Sequence, residues 1–189
     1  MDRLLKFRYF LAFIILLGCG DGSGKKVEGK QEENPISEPA KDESPSTGSI
    51  LFFGDSLTAG LGLDPNQAFP ALIQQRLDSL GYAYEVINAG VSGETTASGR
   101  NRLDWVLGQQ VEIFVLELGA NDGLRGIPLS ETRKNLEEMI LMVRDKYPRA
   151  KIVLAGMQLP PNMGPEYTAE FRKIFPELAV EQGISLVPF

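Results

Sequence analysis

Ile50-Leu51-Phe52-Phe53-Gly54-Asp55-Ser56-Leu57-Thr58-Ala59-Gly60 is the stretch that decides the fold. Four consecutive large apolar residues describe a buried strand, because a strand with one wet face would alternate apolar and polar. Gly54 ends the run, and the residues from Ser56 onward can open a helix. Ser56 therefore stands at a sharp strand-to-helix turn, where free backbone N–H groups favour developing negative charge. The tripeptide Gly54-Asp55-Ser56 is equally compatible with a plain turn in which Asp55 or Ser56 caps the helix. A phosphate-binding loop is excluded. It needs a glycine five positions after the first and then Lys-Ser/Thr, whereas Ala59 and Gly60-Leu61 occupy those places.

Outward from this stretch the pattern repeats. Short apolar runs at 84–87, 113–118, 151–155 and 184–187 predict four further strands. Helical spacing separates them. Leu72, Ile73, Leu77 and Leu80 form one apolar stripe, with Pro70 early and Gly81 at the end. Leu136, Met139, Ile140 and Val143 form another, with Ser130 as N-cap and Pro148 past the stop. Phe171, Ile174, Phe175 and Leu178 form a third, expected to kink or restart at Pro176. Nearly continuous apolar strands alternating with helices predict a three-layer α/β/α domain on a five-stranded parallel sheet covered on both faces. Such sheets bind ligands beyond the carboxyl ends of their strands.

Three polar segments gather at that edge. Ser56 follows the first strand, Asn88-Ala89-Gly90-Val91-Ser92-Gly93 the second, and Gly119-Ala120-Asn121-Asp122-Gly123 the third. The Ser56 N–H, the Gly90 N–H and the Asn121 amide would supply an oxyanion hole from three adjacent strand ends. Removing one such donor typically raises the barrier by about 2.7–4 kcal/mol. The plainer readings are a positive-φ turn at Gly90 and an Asx turn at Asn121-Asp122.

Composition sets the surroundings. The chain has 189 residues, 43% hydrophobic and 23% charged, with a net charge of −6 and no histidine. Without residues 1–18 the balance is 16 basic against 24 acidic side chains. That disfavours nucleic acid as a partner, because phosphate binding needs a basic footprint. Arg3, Lys6 and Arg8 precede an apolar run at 9–17 that is too short to span a bilayer and reads as a signal-peptide core. The run ends in Leu16-Leu17-Gly18-Cys19, which looks like a bacterial lipobox around the sole cysteine. The expectation is cleavage before Cys19, a lipid on its thiol, and a membrane-anchored domain in the cell envelope. Residues 20–49 are rich in Gly, Ser, Pro, Lys and Glu and predict a disordered tether, so the domains are 1–18, 19–49 and 50–189.

Together these blocks resemble the SGNH hydrolases, also called GDSL esterases. Gly54-Asp55-Ser56-Leu57, Gly90 and Gly119-Ala120-Asn121-Asp122 correspond to three of their blocks. Asn121-Asp122-Gly123-Leu124-Arg125-Gly126 and Met157-Gln158-Leu159-Pro160-Pro161-Asn162-Met163-Gly164 resemble the bacterial thioesterase, arylesterase and lysophospholipase branch. The resemblance implies a flavodoxin-like fold and Ser56 as nucleophile. It also implies oxyanion donors at Ser56, Gly90 and Asn121, and an acyl groove near Leu124, Leu159 and Pro160. The implied partner is a small acyl ester or thioester, handled by a monomer without metal or organic cofactor. A non-catalytic acyl- or glycan-binding lipoprotein and a glycan deacetylase are the competing readings.

One family block does not appear. The Asp-x-x-His that supplies the base and its partner belongs beyond the fifth strand, ahead of a closing helix. The sequence reaches Val187-Pro188-Phe189 without it. The expectations are a C-terminally incomplete domain, a missing closing helix, and negligible turnover by these 189 residues. A serine hydroxyl near neutral pH is a weak nucleophile without an adjacent base.

Overall fold

The computed structural model describes residues 48–189; the signal-peptide, Cys19 and most of the tether expectations lie outside them. The elements run β1 (Gly48–Gly54), α1 (Ser56–Ala59), α2 (Phe69–Ser79), β2 (Tyr84–Gly90), α3 (Thr96–Val106), β3 (Ile113–Glu117), α4 (Ala120–Leu124), α5 (Leu129–Lys146), β4 (Lys151–Ala155), α6 (Pro165–Gln182) and β5 (Ser185–Val187). The five strands are all parallel, in the order β2-β1-β3-β4-β5. The three-layer α/β architecture is thus the one expected, with β1 and the Ser56 turn on an inner strand. β1 starts at Gly48, two residues into the expected tether, because Gly48 and Ser49 pair with Tyr84 and Glu85.

The two sheet faces are covered unequally. Leu51, Phe53, Phe114, Leu116, Ile152 and Leu154 are all buried, in one core with Leu103 of α3, Leu136, Met139, Ile140 and Val143 of α5, and Phe171, Phe175 and Leu178 of α6. On the opposite face, α1 and α2 pack on β1 and β2, with Phe69 edge-on to Phe52 at 5.4 Å. Ile113, Val115 and Val153 on that face stay half-buried.

Local expectations are met in part. Gly81 takes the positive φ that closes α2, but Leu72 and Leu80 are about half exposed because α2 lies over the edge strand β2. α5 begins at Leu129, its first free N–H groups turned back onto the Pro128 carbonyl, so Ser130 is a residue of the first turn and not the cap. α6 runs through Pro176 without restarting, with that proline on the exposed side. α3 carries only a weak apolar stripe. Its signal is the box formed by Thr95 and Ser98, each side chain bonded to the other's backbone N–H.

Candidate active site

The site is built on the carboxyl ends of β1, β2 and β3. Ser56 opens α1, half-buried, directly after the buried Asp55. Asp55 does more than cap. Its Oδ1 accepts the Leu57 N–H at 3.0 Å, and its Oδ2 accepts the Asn121 amide at 3.1 Å. Burial raises the Asp55 pKa above the usual carboxylate value, opposed by those two hydrogen bonds and reinforced by Glu94 and Asp122.

Asn121 lies in α4, and its Nδ2 donates both to Asp55 Oδ2 and to the Glu94 carbonyl at 3.0 Å. The Ser56 turn, the β2–α3 loop and α4 therefore meet at one amide. An incoming oxyanion would replace one of these two acceptors. The next residue, Asp122, is fully buried and accepts from the Thr96 N–H (2.8 Å) and Thr96 hydroxyl (2.5 Å), while Asn135 of α5 donates to the same hydroxyl (3.1 Å). Asn121-Asp122 is accordingly not an Asx turn. Each side chain reaches across to another element.

Gly90 is placed differently from the sequence expectation. It is the last residue of β2, paired with Gly54, and its N–H is taken by Asn88 Oδ1 at 2.9 Å. Its φ is not positive; glycine is needed because a Cβ would strike the backbone of Thr58 and Ala59. Gly93, three residues on, is the one that turns, at φ +78°. Its N–H has no partner among the described hydrogen bonds, and it immediately precedes the Glu94 carbonyl that Asn121 touches. The β2–α3 loop is held by an ion pair between the buried Glu94 and the part-buried Arg102, Arg102 Nε to Glu94 Oε1 (2.6 Å) and Nη2 to Oε2 (2.5 Å). Arg102 also donates to the Ala89 carbonyl and lies 4.1 Å over the Phe53 ring.

The expected acyl groove is split. Leu124 and Pro160 are exposed, but Leu159 is buried against Gly123, where a Cβ would come within 2.5 Å of its Cδ2. Leu57 and Val91, beside the Ser56 turn, are exposed apolar side chains that sequence reasoning missed. A cavity of about 620 Å³ opens at the other end of the sheet, around Tyr84, Glu112, Tyr147 and Lys151, remote from Ser56.

A parallel sheet that gathers a serine turn, a glycine turn and an asparagine amide at one edge is the arrangement expected of an α/β hydrolase site. Residues 52–189 match the model of the GDSL-like Lipase/Acylhydrolase family, and the chain belongs to that family. It is 43% identical over 142 residues to Esterase TesA of Pseudomonas aeruginosa, covering 75% of this chain and 70% of that protein. It is 38% identical over 142 residues to thioesterase 1/protease 1/lysophospholipase L1 of Escherichia coli K12, covering 75% and 66%. Among solved structures, AlinE4, an SGNH-hydrolase family esterase, superposes with a TM-score of 0.71 at 43% identity over 76% of each chain.

Proposed function

We propose that this protein hydrolyses acyl esters or thioesters through an acyl-enzyme on Ser56. The observation that carries the reading is the Asp55–Asn121 hydrogen bond, which sets the amide beside the Ser56 turn within the family-matched region. The oxyanion donors in this reading are the Ser56 N–H, the Asn121 amide and the Gly93 N–H. Gly93 takes the place expected for Gly90, whose own N–H is engaged by Asn88. Leu57, Val91 and Leu124 offer apolar surface for the acyl chain. Esterases and thioesterases among the relatives support this substrate class.

The test is hydrolysis of p-nitrophenyl acyl esters and acyl-coenzyme A thioesters by the natural gene product and by residues 1–189. Ser56→Ala is expected to lower kcat roughly 10⁴-fold or more in the natural product. Residues 1–189, with no histidine, are expected to retain only the residual rate that binding and oxyanion donors give. Ordinary esterase rates from residues 1–189, lost in Ser56→Ala, would mean another group acts as base. Acyl-chain binding by residues 1–189 without turnover is the second reading, favoured by the missing imidazole.

The lipobox motif supports tethering of the enzyme to a bacterial envelope membrane through Cys19. Labelled glycerol should enter the wild-type chain and not Cys19→Ser.

A further inference from the structure

Glu117 is a buried carboxylate in an otherwise apolar strand, and neither the proposed chemistry nor the core accounts for it. It ends β3 in register with Gly54 and is 6% exposed. Its Oε2 accepts both the Thr58 N–H (3.2 Å) and the Thr58 hydroxyl (2.6 Å). Oε1 is buried without a partner among the described residues, and no described lysine or arginine pairs with the group. Gly54 leaves the space: a Cβ there would sit 2.6 Å from Glu117 Oε2 and closer still to the Thr58 hydroxyl. One carboxylate thus holds the chain two residues after Ser56, through both the backbone and the side chain of Thr58.

We propose that Glu117 is a positioning residue for the nucleophile: by gripping the chain at Thr58 it fixes the direction in which Ser56 presents its hydroxyl and N–H, without touching substrate. This rests on Ser56 being the nucleophile. A buried carboxylate with no cation beside it is a poor way to hold a turn for stability alone. Desolvation, with the Asp55 charge adding to it, raises the Glu117 pKa to about 7. Its ionised form therefore works against the folded state as pH rises, so the residue earns its place through geometry.

That separation of stability from geometry gives the test, run at pH 8 on the natural gene product with a p-nitrophenyl ester. Glu117→Gln is expected to lower kcat by about 10- to 100-fold, the order of effect of a misplaced reacting group. KM should stay within about twofold, and Tm should equal or exceed that of the wild type. Thr58→Ser, which keeps the hydroxyl, should retain the rate, and Thr58→Val should follow Glu117→Gln. A kcat unchanged in Glu117→Gln while Ser56→Ala abolishes turnover overturns the proposal alone. A kcat loss that travels with a matching fall in Tm overturns it in favour of a structural role. Activity surviving in Ser56→Ala removes the nucleophile reading and the proposal with it. For residues 1–189, amide exchange decides without turnover. Leu57, Thr58 and Ala59 should exchange faster in Glu117→Gln while β1 and β3 core amides keep their protection, and unchanged exchange in the turn overturns the proposal.

Discussion

The buried face of the sheet and its carboxyl edge are built by opposite rules. Leu51, Phe53, Phe114, Leu116, Ile152 and Leu154 are closed over by the apolar stripes of α3, α5 and α6. At the carboxyl edge, Asp55, Glu94, Glu117 and Asp122 are all buried, and Arg102 is the one cation that pairs with any of them among the described residues. Apolar burial stabilises at about 1.5–3 kcal/mol per large side chain, whereas buried anions cost free energy unless hydrogen-bonded or paired. The face makes the fold stable, and the edge uses part of that stability to hold donors and turns in one arrangement.

The largest expected effect belongs to the buried face. Phe175 is fully buried in α6, stacked edge-on with Phe171 at 5.3 Å and packed under Gly119. Phe175→Ala should cost about 3–5 kcal/mol in denaturant unfolding, with the pH dependence of stability unaltered. A cost under 1 kcal/mol would mean this face is not the principal core.

At the edge, Arg102→Met should cost about 3–5 kcal/mol, because the 3%-exposed Glu94 side chain then keeps a charge with no partner. Glu94→Gln together with Arg102→Met should recover much of that loss. If the double variant is no better than the single, packing of the guanidinium on Phe53 carries the effect.

The pH dependence separates the regions more finely. The folded pKa of Glu117 stands at about 7 against an ordinary 4.5, so folding takes up a proton in that window. Its contribution to stability is present below about 4.5 and lost as pH rises through about 7. The interval corresponds to roughly 3 kcal/mol at most. Asp55, also raised, adds in the same direction. Urea midpoints should fall between pH 5 and pH 8 in the wild type and fall less in Glu117→Gln. A midpoint that climbs over that range would show Glu117 to be a favourably placed anion.

The face was far more legible than the edge. Apolar runs announced all five strands, and the stripes of α5 and α6 named side chains that are in fact buried, because burial leaves a periodic mark on local sequence. The edge depends on contacts between distant residues, Asp55 with Asn121 and Thr58 with Glu117, which no local pattern carries. Gly90 and Gly93 show the limit well. Both follow the second apolar run, and only pairing of β2 out to Gly54↔Gly90 reveals that Gly90 is still strand and Gly93 is the turn. Glu117 was visible as a charge in an apolar run, but its meaning required the strand beside it.

The smallest effect tests where a stripe read from sequence misled. Leu72 belongs to the α2 stripe with Ile73 and Leu77, yet it is 50% exposed while those two are half-buried. The helix covers an edge strand, so one side of its apolar arc meets β2 and the other meets water. Leu72→Gln keeps a good helix former at an exposed position and should change stability by no more than about 0.5 kcal/mol. Leu136→Gln, at a fully buried position of α5, should cost several times that, because an amide without partners would enter the core. A large cost for Leu72→Gln would mean that something covers α2 in solution, and the contrast between the two outer layers would then be smaller than the fold suggests.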